Sequence, residues 1–175
     1  MTVYALKLRP TADDDLDRVL AAESSAENRP YIMSWTREEH EQAIADPNIG
    51  HFVIERVQCA SDRATAEFVG YLIMVGLEDL DQGIQLRRIV VTQKGQGIGR
   101  WALAQVKAIA FDTHQAHRLW LDVKPFNQRA RAFYKSAGFV EEGVLRDCYK
   151  TDADHYGSLV IMSMLQPEYA AAGHN

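Results

Sequence analysis

The chain has 175 residues, 47% of them hydrophobic and 25% charged, with a formal charge of −5, which fits one globular domain with a full core and excludes disordered and fibrous classes. The acidic balance excludes a phosphate-coating nucleic-acid binder and tilts the partners towards cations and small neutral molecules. No apolar run approaches the ~18 residues of a membrane span, and Cys59 and Cys148 read as thiols of a reducing compartment, so a cytoplasmic protein without a membrane partner is expected.

Residues 3–8 alternate as a strand. Thr11 opens TADDDLDRVLAAES, where Thr11 and Asp14 form a capping-box pattern and Leu16, Val19 and Leu20 take helical spacing. After the irregular aromatic stretch ENRPYIMSW, Thr36 with Glu39 opens a second helix, which Pro47 and Gly50 stop. Three strand patterns follow, HFVIERV, EFVGYLIMVGL and GIQLRRIVV, separated by polar turns at 61–64 and 78–83 in the manner of an antiparallel meander. Residues 99–113 are predicted helical and HRLWLDV a strand. NQRARAFYKSAG is a helix closed by Gly138, and VLRDCYK with HYGSLVIMSML makes a final strand pair. The predicted order is βααβββαβαββ, an α/β (α+β) chain. Residues 1–166 form one domain and 167–175 a frayed, flexible tail.

Between the strand ending at Val91 and the helix near Arg100 lies the loop TQKGQGIGR, with glycines at 95, 97 and 99. Alternate glycines let backbone N–H groups converge, and the helix N-terminus adds partial positive charge, so the loop suits a phosphate or pyrophosphate. A P-loop is excluded because no Lys-Ser or Lys-Thr pair follows the glycines. A dinucleotide fingerprint is excluded because Arg100 stands where a third glycine belongs, although Asp122 lies at a tempting distance in mid-strand.

Two blocks together carry a family resemblance. Lys94-Gly95-Gln96-Gly97-Ile98-Gly99 resembles the acyl-CoA pyrophosphate loop of the GNAT N-acetyltransferases, and NQRARAFYKSAGF, residues 127–139, is similar to the family's Asn…Ala…Tyr…Gly-Phe signature. EEGVLRDCYK and LVIMSML are similar to the RimJ/RimL-like branch, which includes acetyltransferases of protein N-termini. The resemblance implies a central mixed, mostly antiparallel sheet of about seven strands with four helices, acetyl-CoA as cosubstrate, an amine acceptor and room for a homodimer.

On the same resemblance, Lys94, Gly95, Gln96, Gly97, Ile98, Gly99 and Arg100 would hold the pyrophosphate. The backbone of Ile89, Val90 and Val91 would pair with pantetheine, and Asn127 would hydrogen-bond the cofactor arm. Tyr134 would protonate the departing thiolate, a role suited to a phenol near a thiol of pKa ~8.5. Plainer readings stand beside these: a core strand for 89–91, a helix N-cap for Asn127, a core aromatic for Tyr134 and a solvated helix face for Arg131 and Lys135. Gln85 stands where many relatives carry a glutamate base, which leaves Glu78, Asp79 or a bound water as candidates. The acceptor would lie between 27–35 and the turn at 150–155, where Tyr31, Trp35, Tyr149, Asp152 and Asp154 suit an amine against Arg29 and Lys150. His40, His51, His114, His117 and His155 make no ligand spacing, so no metal is expected. The expected activity is N-acetyl transfer to a primary amine, including a peptide N-terminal α-amine. The missing glutamate keeps open a degenerate acyl-CoA-binding module without turnover.

Overall fold

The computed structural model describes residues 4–58, 65–151 and 154–173. Val3, Cys59, the 61–64 turn and Asp152 lie outside them. The chain runs β1 (Tyr4–Pro10), α1 (Leu16–Ser24), α2 (Arg37–Ala45), β2 (Ile49–Gln58), β3 (Thr65–Val75), β4 (Gly83–Val91), α3 (Ile98–Lys107), β5 (Arg118–Val123), α4 (Gln128–Ser136), β6 (Val140–Lys150), β7 (Tyr156–Leu165) and α5 (Gln166–Ala171). This is the predicted order with one helix added at the end.

The strands form one seven-stranded sheet ordered β1-β2-β3-β4-β5-β7-β6. Every pairing is antiparallel except β4 with β5, which α3 joins as a parallel crossover. On one face Ile54, Leu72, Met74, Ile84 and Leu86 pack under Ile98, Ala102, Leu103 and Val106 of α3. On the other, Val53, Tyr71, Ile73 and Val90 pack under Val19 and Ala22 of α1. Leu103, 2% exposed, anchors α3 to the sheet, and truncation there to alanine costs roughly 2–5 kcal/mol. No helix among the described residues is long and apolar enough to cross a membrane.

The second helix starts as predicted: Thr36 Oγ1 accepts from Glu39 N at 3.2 Å and Thr36 N donates to Glu39 Oε2 at 2.6 Å. The first does not. Thr11 is bound to buried His51, its Oγ1 2.8 Å from Nδ1, because it extends the β1–β2 ladder with its N–H on His51 O at 2.9 Å. Asp15 does the capping instead, accepting from Ala12 N at 2.9 Å while Arg9 and Arg18 clasp its carboxylate. The arginine hydrogen bond, resisted by burial, leaves that carboxyl below its usual range. The predicted helix at 99–113 turns π-helical over Ala108–Thr113. Where a frayed tail is expected, α5 forms: Tyr169 stacks on Phe111 with centroids 4.6 Å apart and donates to Asp112 Oδ2 at 2.9 Å.

Candidate active site

β4 and β5 pair at only three positions, Gly83 with Arg118, Ile84 with Leu119 and Gln85 with Trp120. Beyond these, β4 keeps β3 and β5 keeps β7, so the two strands splay and their facing edges have no ladder partner among the described residues. Backbone N–H and C=O groups on such edges need a partner, and an extended amide-bearing ligand completes a ladder of this kind. Ile89 and Val91 send half-buried side chains to the α3 face and Val90 is buried towards α1. These residues are core by side chain and border the opening by backbone.

The glycine loop follows β4 directly and leads into α3. Gly95 (φ +82°) and Gly97 (φ +76°) adopt left-handed conformations, and a Cβ at either would meet no atom within 4 Å beyond its immediate chain neighbours. The space beside the backbone is open, as an approaching anion requires. Gly97 caps α3, whose first helical bond runs from Trp101 N to Gly97 O at 3.0 Å. The N–H groups of Ile98, Gly99 and Arg100 therefore lack intrahelical acceptors. Lys94 is engaged elsewhere, its ammonium 3.1 Å from the Glu27 carboxylate. Gln96 Oε1 accepts from Arg56 Nη1 at 2.8 Å and Gln93 Nε2 donates to Glu67 Oε1 at 2.6 Å, while Arg56 also binds Glu67. This clasp ties the loop to the ends of β2 and β3. Arg56, which the sequence reading overlooked, brings a guanidinium to the loop.

Within the splay, Tyr31, Met33, Arg87, Arg88, Asp122, Lys124, Asn127 and Tyr134 line one cleft. Asn127 caps α4, its Oδ1 accepting from Ala130 N at 3.1 Å. It serves the helix and borders the cleft. Tyr134, 8% exposed, packs against Phe133 and Phe139 with centroids 5.2 and 5.8 Å away. Burial and the nearby Asp122 charge raise its pKa, so the phenol keeps its proton at neutral pH.

Gln85 donates from Nε2 to Asp122 Oδ2 at 2.8 Å. The amide on β4 thus meets a carboxylate on the neighbouring strand. Burial raises the Asp122 pKa, opposed by Arg87, the Gln85 hydrogen bond and Arg88. A carboxylate that is costly to keep ionised is a ready proton acceptor. Asp79 instead builds its own turn, accepting from Asp81 N at 3.2 Å and Gly83 N at 3.2 Å, and Glu78 lies outside the cleft lining.

A buried polar network holds the α1 side of the cleft. Arg88 donates to the Glu23 carboxylate and to Met33 O. Glu23 also accepts from Tyr71 OH and from Trp35 N, the latter at 3.1 Å. His40 Nε2 lies 3.3 Å from Glu23 Oε1, and its Nδ1 is 3.0 Å from His51 Nε2. Burial raises the Glu23 pKa, but His40, Arg88 and Tyr71 more than offset this and leave it below the usual carboxylate range. The 33–35 segment hangs on this network at both ends.

The expected acceptor residues divide. Tyr31 lines the cleft, its ring 5.9 Å from that of Phe126. Trp35 packs instead on Arg88, 4.7 Å from its ring centroid. Lys124 Nζ donates to Pro30 O at 2.9 Å and lies 5.8 Å from the Tyr149 ring. Asp154 is fully exposed on Lys150, 3.3 Å away. Arg131 and Lys135 bind Glu141 at 2.8 and 2.9 Å. Asp122, Arg87, Arg88 and Lys124 are cleft residues that the sequence reading did not assign to it. Gln85 is in register with Trp120, so Asp122 lies two residues further along β5, and no local pattern in the sequence signals its contact with Gln85.

A family model described as acetyltransferase (GNAT) domain matches residues 5–140. Among solved structures, the chain is similar to a chimera of spermidine N-acetyltransferase SpeG from Vibrio cholerae and hSSAT, with TM-score 0.76 and 20% identity, covering 94% of this chain and 98% of that one. Spermidine/spermine N-acetyltransferase SpeG from Vibrio cholerae, in complex with manganese ions, gives TM-score 0.74 and 20% identity, covering 97% of each chain. A dodecameric spermidine N-acetyltransferase from Vibrio cholerae gives TM-score 0.75 and 21% identity, covering 97% and 98%. At such identity these likenesses show the shared fold. With the family model spanning β1 to the start of β6, the chain belongs to the GNAT acetyltransferases and is an acetyl-CoA-dependent N-acetyltransferase acting on an amine.

Proposed function

We propose that the acceptor is a primary amine of modest pKa, a peptide N-terminal or other α-amine, and that Asp122 takes its proton. The observation that carries this reading is the Gln85–Asp122 pair at 2.8 Å in the cleft that Tyr134 also lines. In the reaction the amine nitrogen attacks the thioester carbonyl; the C–N bond forms and the C–S bond breaks. The proton leaving nitrogen goes to Asp122, and the sulfur gains one from Tyr134. The open glycine backbone at 95–99 is proposed to hold the pyrophosphate, and the splayed β4 edge at 89–91 the pantetheine. Fixing the thioester beside the amine supplies much of the acceleration.

An α-amine of pKa ~8 is about a tenth neutral at pH 7, whereas a lysine amine of ~10.4 is neutral about four times in ten thousand. That gap favours α-amines, in keeping with the RimJ/RimL-like sequence blocks. The names of the fold neighbours support a second reading, a polyamine acceptor. Arg87, Arg88 and Lys124 against the single carboxylate Asp122 oppose it, because a polycation would meet like charge. Self-association as a homodimer or larger assembly is supported by exposed Val140, Val144 and Leu145 on the edge strand β6.

The deciding experiment measures kcat/KM for two matched peptides, one with a free N-terminus and blocked lysine, the other reversed, alongside spermidine, from pH 6.5 to 9. Preference for the free N-terminus is expected at neutral pH. Preference for the lysine peptide or for spermidine would overturn the α-amine reading.

A further inference from the structure

Arg87 is a residue that the sheet does not need. Ile73 pairs with Arg88 and the next residue, Met74, with Leu86, so Arg87 is the extra residue of a β-bulge, without a partner in the β3 ladder. Bulges of this kind turn a side chain towards a site. Strand alternation would carry Leu86 and Arg88 to opposite faces even if Arg87 were absent. The extra residue places a second guanidinium at the cleft beside the first.

The two arginines differ in their engagements. Arg88 is 6% exposed by side chain and committed to Glu23 and Met33 O. Arg87 is 32% exposed, and Asp122, with Oδ2 4.0 Å from its Nη1, is its one ion-pair partner among the described residues. That distance is longer than a charge-assisted hydrogen bond of ~2.7–2.9 Å, so the guanidinium fork still has donors to offer. It lines the same cleft as the carboxylate proposed to receive the amine's proton.

We propose that Arg87 binds an anion carried by the acceptor next to its amine, so that the substrate is an α-amine with a carboxylate close by. This rests on the reading of the splay as an α-amine acceptor site. In an α-amino acid the ammonium and carboxylate are separated by a single carbon, a spacing that bridges a carboxylate and a guanidinium set 4.0 Å apart. The amine faces Asp122 and the carboxylate faces Arg87, each meeting its opposite charge. Planar, bidentate recognition of a carboxylate is the chemistry for which guanidinium is suited. An N-terminal aspartyl residue offers the same pairing through its side chain.

The test compares kcat/KM, referred to the neutral amine at each pH because amidation also makes the amine less basic, for a free amino acid and its α-amide, with spermidine as a third acceptor. An aspartyl peptide against its asparaginyl counterpart separates a side-chain anion from a main-chain one. The wild-type enzyme should favour at least one carboxylate-bearing member over its neutral partner by about 10- to 100-fold, the scale of one charged hydrogen-bonded contact. In Arg87→Gln that ratio should fall to about one, and Arg87→Lys should keep part of it. Equal turnover of the acid and neutral members of both pairs by the wild type, or an undiminished preference in Arg87→Gln, overturns the proposal and leaves the α-amine reading standing. Acetylation of spermidine alone overturns both.

Discussion

Asp122→Asn removes a proton acceptor while disturbing little else. The asparagine Oδ1 can still accept the hydrogen bond that Gln85 now gives at 2.8 Å, and the lost ion pair with Arg87 is a 4.0 Å contact. The loss therefore falls on proton transfer, which contributes typically 10²–10⁴-fold in rate. A decrease in kcat of about 10²- to 10³-fold, or roughly 2.7–4 kcal/mol of barrier, is expected with acetyl-CoA affinity unchanged. The residual rate should follow the neutral amine and climb by up to about tenfold between pH 7 and pH 9 for an α-amine of pKa ~8. The assay is release of free CoA thiol at saturating acetyl-CoA, with calorimetry for cofactor affinity. Stability should move the other way. The Asp122 carboxyl is raised by burial, so its contribution is full below the unfolded pKa and is lost as pH rises through the folded one. A neutral asparagine escapes that loss, and the variant should melt higher than wild type at pH 7. Adding Gln85→Glu to Asp122→Asn returns a carboxylate to the same pair from the β4 side and should recover at least tenfold in rate. Near-wild-type turnover with an unchanged pH profile in Asp122→Asn would refute Asp122 as the base.

Tyr134→Phe keeps the ring packed between Phe133 and Phe139, so acetyl-CoA affinity should hold while kcat falls about 10²-fold; equal rates in steady-state kinetics would return Tyr134 to a packing role. Gly97→Val places a β-branched residue at φ +76° and a side chain in the open space beside the loop, and calorimetry should show CoA binding at least tenfold weaker, about 1.4 kcal/mol. His51 is pushed down to about 4 by burial, with His40 and Arg88 adding to it. Below pH ~6.5 the unfolded histidine takes a proton that the folded one refuses, so stability should decline from there to about pH 4. Urea midpoints across that range should decline less steeply in His51→Gln.

Most of the strands were legible because a sheet buried on alternate residues prints its period on the sequence, as β4 and β5 do. The glycine loop and the Asn127 to Phe139 block were legible because their backbone demands are local. The capping role assigned to Thr11 was not, since His51, forty residues away, claims its hydroxyl. Asp122 read as a mid-strand oddity for the same kind of reason. Its meaning comes from Gln85 on a parallel neighbour, a contact across 37 positions that no local pattern records. Asp154 looked suited to an amine by composition, yet it pairs with Lys150 four residues before it. The tail helix depends on a ring stack with Phe111, which the small residues of 170–173 do not advertise.

The bulge at Arg87 separates two kinds of obligation within one strand. Its neighbours hold ladder partners and bury side chains on fixed faces, so folding depends on them. The extra position carries neither duty. Substitution or even deletion there should leave strand pairing intact while changing what the cleft accepts. Acceptor preference can then drift between descendants of one scaffold without first crossing a stability deficit, and a library randomised at this codon should yield folded proteins at unusually high frequency.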